Sequence, residues 1–154
     1  DGRSAPERAK VKVPLTRQDV RRWCRRMDIP FTPPPISTDP TPAAIVSLLA
    51  QEKGVLPTYV QDVMWAEWAE GKDIGQPEVL RDIAEGSGLA RNEIDAALND
   101  KAQQETLDEN WHYAQSIGVI GVPSFVIDEE IFWGNDRFEF VLEHLDELGA
   151  KSSD

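Results

Sequence analysis

The segment GVIGVPSFVIDEEIFWGNDRFEFV, residues 118–141, decides the fold because it carries the strongest strand and turn signals of the chain. Residues 124–127 include aromatic and β-branched side chains, residues 128–130 are acidic, and residues 131–133 are apolar again. Two short apolar runs separated by a polar turn are typical of a β-hairpin. Gly134 follows the second run, so the segment predicts strand, turn, strand and a break.

A helix is predicted directly after this hairpin. Apolar residues recur there at the spacing of one helical face, at Phe138, Val141, Leu142, Leu145 and Leu148. Asn135 or Asp136 stands where an N-cap residue would accept a hydrogen bond from a free backbone amide. The end of the chain is therefore predicted as hairpin and helix.

The chain before the hairpin has a helical pattern. Apolar residues recur at helical spacing, and proline or glycine marks several of the boundaries. This pattern predicts helices over residues 16–27, 41–53, 57–71, 77–86, 91–98 and 101–117. Residues 1–14 show no clear period and are predicted as a loop. Residues 29–42 contain six prolines, which predicts an extended connector because proline removes backbone donors and disfavours helix before it.

Size and charge limit the function classes. A chain of 154 residues with 40% hydrophobic residues is long enough to bury one globular core. The formal net charge of −12 argues against a surface for nucleic acid or for anionic membranes. Five arginines between positions 17 and 26 form a local basic cluster, read as the solvated face of one helix in preference to a phosphate site.

Cysteine and histidine usage limits the chemistry further. Cys24 is the only cysteine, which excludes an internal disulfide, a redox dithiol or a thiolate metal cluster within these residues and fits a reduced, cytoplasmic setting. His112 and His144 have no ligand partner at helical spacing, so no metal site is predicted. No apolar run reaches the roughly 20 residues of a membrane helix.

Aromatic stripes on helices usually indicate core packing, and this is the interpretation given to most of the tryptophans. Trp133 is the exception, because it lies next to Asn135 and Asp136, which could bind a ligand. Cys24, inside a predicted helix, is read as a small buried apolar residue.

Two motifs around the hairpin could bind a small ligand. If the Val122–Pro123 bond is cis, the turn leaves the Val122 peptide groups free to pair with an extended, peptide-like ligand; the alternative is a trans proline that merely opens a strand. At Asn135 and Asp136, free amides could bind a carboxylate and the aspartate an ammonium group. Here the alternative is a simple N-cap.

The segment 118–137 closely resembles the C-terminal signature of the 2-hydroxychromene-2-carboxylate isomerases and kappa-class glutathione transferases, in the DsbA-like branch of the thioredoxin superfamily. The shared pattern is Gly-Val-Ile-Gly-Val-Pro-Ser-Phe, a turn, and Phe-Trp-Gly-Asn-Asp-Arg. Weaker similarity extends upstream through residues 19–23, 29–31, 65–74 and 88–89, in the same order.

The resemblance implies an α/β, thioredoxin-like fold of the DsbA type that is mostly helical in these residues. Residues 1–42 would be a remnant of the first thioredoxin half and a connector, residues 43–117 an inserted all-helical domain, and residues 118–154 the returning hairpin and helix. The family's opening strand, helix and second strand, which carry a catalytic serine or a Cys-x-x-Cys, have no counterpart in the sequence. The catalytic residue is therefore expected in an absent N-terminal segment.

The resemblance also implies glutathione as the cofactor. Pro123 would be cis, Val122 would hold the cysteinyl backbone, and Asn135 and Asp136 would hold the γ-glutamyl end. Lys12, seven residues before Asp19, matches a lysine that contacts the glycyl carboxylate. Lys10 could compete with it, and Arg3 stands where relatives have an asparagine. Trp133 would line the pocket of a small aromatic substrate.

Three functions follow as hypotheses. The first is a glutathione-dependent isomerase or transferase acting on aromatic keto acids. The second is a DsbA-like thiol-disulfide oxidoreductase, which requires a Cys-x-x-Cys outside the sequence. The third is a catalytically silent binding module, with a homodimer or a partner covering the exposed edge of the hairpin, because an isolated two-stranded sheet is marginally stable.

Overall fold

The computed structural model describes the backbone of residues 7–149 and the side chains of residues 15–149. The elements in chain order are α1 (Glu7–Arg26), α2 (Thr41–Glu52), α3 (Leu56–Trp68), α4 (Pro77–Gly86), α5 (Arg91–Asn99), α6 (Lys101–Ser116), β1 (Ser124–Ile127), β2 (Glu130–Trp133), a 3-10 turn (Asn135–Arg137) and α7 (Phe138–Glu147). The chain divides into two compact units, residues 1–103 and 104–154. The threefold division into 1–42, 43–117 and 118–154 stays a prediction.

The predicted elements are nearly all present, with one early difference. Helix α1 begins at Glu7, although residues 1–14 were predicted as a loop. The loop was predicted because residues 1–14 show no clear period, but residues 7–12 are mostly strong helix formers and the helix continues through Pro14. No helix within the part of the chain from residue 7 to residue 149 is both long and apolar enough to cross a bilayer.

The core of the first unit lies among α2, α3, α4 and α5. Val46, Leu80 and Ile94 are fully buried there, each contributed by a different helix. Burying a large aliphatic side chain stabilises the fold by about 1.5–3 kcal/mol. These four helices thus form the packed cluster of the first unit.

A hydrogen bond inside this core fixes α3 against α2. The hydroxyl of Tyr59, which is 1% exposed, donates to the Ala43 carbonyl at 2.9 Å. Burial of the phenol raises its pKa, because the low-dielectric core disfavours the phenolate.

Tyr59→Phe is expected to lower the free energy of unfolding by about 1 kcal/mol, because the hydrogen bond is lost while the ring still fills the core. Since the pKa is raised in the folded state, the folded chain holds this proton more tightly. The stability therefore falls as the pH rises above about 10, the value for an unfolded tyrosine. Denaturant unfolding at pH 7 and pH 11 should show that the variant loses less unfolding free energy at the higher pH than the unmodified protein does. Tyr113→Phe, at an exposed position, is the control, and equal behaviour of the two variants would contradict the assignment.

The proline-rich connector after α1 is neither helix nor strand, turns at residues 36–37, and packs against the end of α3. The Thr32 amide donates to the Trp68 carbonyl at 2.8 Å. Gly71 has a φ of +71°, and a Cβ there would lie 2.6 Å from the Thr32 methyl group. Glycine at this position therefore permits both the left-handed turn and the close approach of the connector.

The interpretation of the helical tryptophans as core is wrong. Trp23, Trp65, Trp68 and Trp111 are between 39% and 59% exposed. Apart from Tyr59, small and aliphatic residues form the core of the first unit, and the indoles of Trp23, Trp65 and Trp68 remain on its surface. Cys24, read as a buried residue, is only partly buried.

The second unit contains the hairpin and α7. β1 and β2 are antiparallel, with Phe125 opposite Phe132 and Ile127 opposite Glu130. The turn is Asp128-Glu129, where Asp128 adopts a φ of +52°, a left-handed conformation that aspartate tolerates. Val141 is the only buried side chain among residues 104–149.

This unit has a small core and much exposed apolar surface. The rings of Phe125 and Phe138 approach to 5.7 Å between centroids, and those of Phe132 and His144 to 5.6 Å. Within residues 7–149, the hairpin pairs with no further strand. The hairpin and α7 therefore present an edge and an apolar face suited to a larger sheet.

Candidate functional site

The turn before β1 exposes a peptide group that no other described residue binds. The Val122–Pro123 bond is cis, as the family resemblance implies. Val122 is 90% exposed, and its amide and carbonyl have no hydrogen-bond partner within residues 7–149. An unpaired donor and acceptor on one extended residue can bind the backbone of a peptide-like ligand.

The hairpin joins this turn to the residues that follow β2. The Gly134 amide donates to the Pro123 carbonyl at 2.9 Å, one step beyond the Ser124–Trp133 pair that opens the ladder. Thus Val122-Pro123 and Gly134-Asn135 lie side by side at the open end of the hairpin. The structure brings together the two motifs that the sequence places 12 residues apart.

Gly134 permits a close approach by Asp136. Its φ and ψ of +107° and 151° lie in a region that residues with a side chain rarely adopt. A Cβ on Gly134 would lie 2.5 Å from Asp136 Oδ1. The glycine therefore lets the carboxylate fold back over the backbone at the end of β2.

The Asp136 carboxylate is exposed and faces one cation. Arg137 Nη1 lies 2.7 Å from Asp136 Oδ2, and both side chains are about half or more exposed. The other oxygen, Oδ1, is the one above Gly134. One oxygen of this carboxylate thus remains available for a ligand ammonium group.

The prediction that Asn135 or Asp136 caps the last helix is wrong. Residues Asn135–Arg137 form a 3-10 turn, closed by a hydrogen bond from the Arg137 amide to the Gly134 carbonyl at 3.2 Å, and α7 begins only at Phe138. Neither the turn nor α7 has a side-chain cap. The Asn135 and Asp136 amides therefore have no partner among the described residues and stay available to an anion.

Trp133 borders the same end of the hairpin. A Cβ on Gly121 would lie 2.8 Å from Trp133 Nε1, so the indole edge packs directly on the backbone before Val122. The indole is 53% exposed and offers an apolar surface. Gly121 was not assigned a role from the sequence and Gly134 was interpreted only as the break after the hairpin, although both lie next to the predicted ligand residues.

Lys12 belongs to helix α1, but its side chain lies outside the described residues, so its assignment to the glycyl carboxylate stays a prediction. The competing Lys10 has the same status, and Arg3 lies outside the described backbone. No cluster of three or more His, Cys, Asp or Glu side chains suited to a metal ion occurs within the described side chains.

Comparison with known proteins identifies the fold and the relatives. The family model for a DSBA-like thioredoxin domain matches residues 2–146. A solved 2-hydroxychromene-2-carboxylate isomerase superposes with a TM-score of 0.82 and 26% identity, over 95% of this chain and 71% of that one. The predicted fold class, DsbA-type and mostly helical with a small hairpin, is confirmed.

Two curated relatives carry the same name. The 2-hydroxychromene-2-carboxylate isomerase of Sphingobium xenophagum is 29% identical over 136 residues, covering 88% of this chain and 68% of the relative. That of Pseudomonas putida is 30% identical over 134 residues, covering 87% and 65%. The chain thus spans about two thirds of the length of these relatives. Because the family model matches nearly its whole length, the chain belongs to the DsbA-like thioredoxin family.

Proposed function

We propose that this protein is a glutathione-dependent isomerase of the 2-hydroxychromene-2-carboxylate type, acting on a small aromatic keto acid. The observation that carries the proposal is the hydrogen bond from the Gly134 amide to the Pro123 carbonyl, because it holds the open Val122 peptide beside Asn135 and Asp136. The names of the relatives support the isomerase class and the aromatic substrate.

Val122 would hold the middle of glutathione. Its free amide and carbonyl match the carbonyl and amide of a cysteinyl residue lying antiparallel to it, as a strand added to a sheet edge. Val122 is 90% exposed, so no segment among the described residues has to move away before the ligand pairs with it. Such pairing would fix the direction in which the cysteinyl side chain points.

Asn135 and Asp136 would hold the γ-glutamyl end, which carries a carboxylate and an ammonium group on one carbon. The two free amides suit the carboxylate, and Asp136 Oδ1 suits the ammonium. Arg137 remains on Oδ2 in this arrangement, so the existing ion pair is not broken. By the family resemblance, Lys12 would bind the glycyl carboxylate.

The chemistry that glutathione supplies when bound is reversible nucleophilic addition by its thiolate to an unsaturated substrate. The described residues contribute binding and orientation, and by the family resemblance a serine would activate the thiol. The exposed indole of Trp133 would provide one wall for the aromatic ring of the substrate.

The test measures by absorbance the turnover of 2-hydroxychromene-2-carboxylate by the full-length protein. The reaction is run with reduced glutathione, with S-methylglutathione and with neither compound. We expect isomerisation only with reduced glutathione, because the methylated form lacks a free thiol. Turnover without glutathione would refute the cofactor assignment and keep the isomerase class. No turnover under any of the three conditions would refute the proposed reaction.

A further inference from the structure

A second concave region lies entirely in the first unit, between α1, the connector after it and α3. It has a volume of about 280 Å³. Its walls are almost entirely apolar. The side chains that line it include Val20, Cys24, Ile29, Phe31, Met64 and Trp68. None of these residues takes part in the site at residues 121–136.

One wall of this groove is aromatic. The rings of Phe31 and Trp68 are stacked at 8° to one another, with 6.2 Å between centroids. Trp68, Trp65 and Met64 remain between 39% and 53% exposed. Exposed aromatic and thioether side chains that line a concavity are typical of a ligand-binding surface rather than of a folding core.

A cationic concavity of about 490 Å³ adjoins the groove and shares Cys24, Ile29 and Phe31 with it. Its other walls are Gln18, Arg21, Arg22 and Arg25, from successive turns of α1. Arg21 Cζ lies 5.8 Å from the centroid of the Phe31 ring, whose neighbour in the groove is Trp68. Positive charge and aromatic surface therefore meet at Phe31.

Among the side chains of residues 15–149, two of the three arginines of this concavity lack the carboxylate partners that Arg81 and Arg91 have, whereas Arg22 Nη1 lies 3.7 Å from Asp19 Oδ1. Arg81 Nε lies 2.6 Å from Asp95 Oδ1, and Arg91 Nη1 lies 2.9 Å from Glu85 Oε2. By contrast, Arg21 and Arg25 have no carboxylate within 4.0 Å among the side chains of residues 15–149. In a chain of net charge −12, two unpaired guanidinium groups at the mouth of an apolar groove provide a local site for an anion.

We propose that this region binds an organic anion with a planar aromatic body, such as an aryl carboxylate or aryl sulfonate. The ring would lie in the groove along Phe31 and Trp68, and the anionic group would lie between Arg21 and Arg25. Planar guanidinium groups suit such an anion because they offer paired donors. The proposal shares no residue with the glutathione proposal and does not depend on it.

The test measures binding of naphthalene-2-sulfonate to the protein by isothermal titration calorimetry, beside neutral 2-naphthalenemethanol and inorganic sulfate. We expect the sulfonate to bind about tenfold or more tightly than either, because only it fills both parts of the region. The double variant Arg21→Gln/Arg25→Gln should lose about tenfold for the sulfonate and leave the neutral compound unchanged. Higher salt should weaken the binding of the two anions and leave that of the neutral compound unchanged.

Arg17→Gln is the control, because it removes one positive charge from α1, half of what the double variant removes, outside the residues that line the concavity. Trp68→Leu should weaken the sulfonate and the neutral compound alike. Far-UV circular dichroism and thermal unfolding confirm that each variant is folded. Equal affinity for sulfonate and neutral compound, tighter binding of sulfate alone, or no loss in the double variant would overturn the proposal.

Discussion

Asp136→Ala is expected to weaken the binding of glutathione by about 10- to 100-fold, measured by calorimetry at pH 7. A hydrogen bond to a charged group contributes about 1.5–3 kcal/mol, and the ammonium of the γ-glutamyl end has no other carboxylate assigned to it. The folded structure should change little, because Asp136 is exposed and the pair that it forms with Arg137 is a surface ion pair.

Glu129→Ala is the matched control for this variant. It removes the same charge from the same hairpin, at its turn rather than at its open end. We expect glutathione affinity within about twofold of the unmodified protein, since an exposed charge farther away is screened by salt. Equal loss in the two variants would mean that Asp136 acts through net charge, and no loss in Asp136→Ala would refute its contact with the ligand.

Gly134→Ala is expected to lower the local stability of the hairpin by about 1–3 kcal/mol and to reduce glutathione binding with it. The methyl group would meet Asp136 Oδ1 at 2.5 Å, and the backbone conformation at φ +107° disfavours any side chain. Relief would require movement of Asp136 or loss of the Gly134 hydrogen bond to Pro123. Amide hydrogen exchange of β1 and β2 measures the loss.

Gly86→Ala serves as the control for the glycine substitution. Gly86 lies at the end of α4, and a Cβ there would contact nothing within 4 Å. Alanine should be neutral or stabilise the chain by about 0.4–1 kcal/mol. Unchanged exchange protection in Gly134→Ala would show that the close approach of Asp136 is not needed by the hairpin.

Local signals in the sequence predict most of the elements. The pair Gln76-Pro77 marks the start of α4, and Gly118 follows α6 within two residues of its end. These boundaries depend on local chemistry, because proline and glycine act through their own φ angles. The start of α1 was missed because residues 1–14 show no clear period, although most of residues 7–12 are strong helix formers.

The surface positions of the tryptophans could not be predicted in the same way. Periodicity shows which residues share a helical face, but not whether another element covers that face. On α3, Tyr59 and Val63 are buried whereas Met64 and Trp65 are exposed. The choice between the two faces depends on where α2 and α4 pack, which is tertiary information.

The candidate site was predictable in its members and less so in its geometry. The motif around Val122-Pro123 and the motif Gly-Asn-Asp could be recognised from the sequence. That the Gly134 amide bonds to the Pro123 carbonyl depends on the hairpin register. The cap assignment failed because the backbone forms a 3-10 turn before α7. Among residues 7–149, the amides of Asn135 and Asp136 have no partner and no side chain caps the turn.

A crystal structure of the protein with reduced glutathione tests the central claim most directly. The account predicts that the Val122 amide and carbonyl each lie about 2.7–3.2 Å from a backbone group of the cysteinyl residue, with the γ-glutamyl ammonium at Asp136. Glutathione bound elsewhere, or bound with the Val122 peptide group left unpaired, would contradict it.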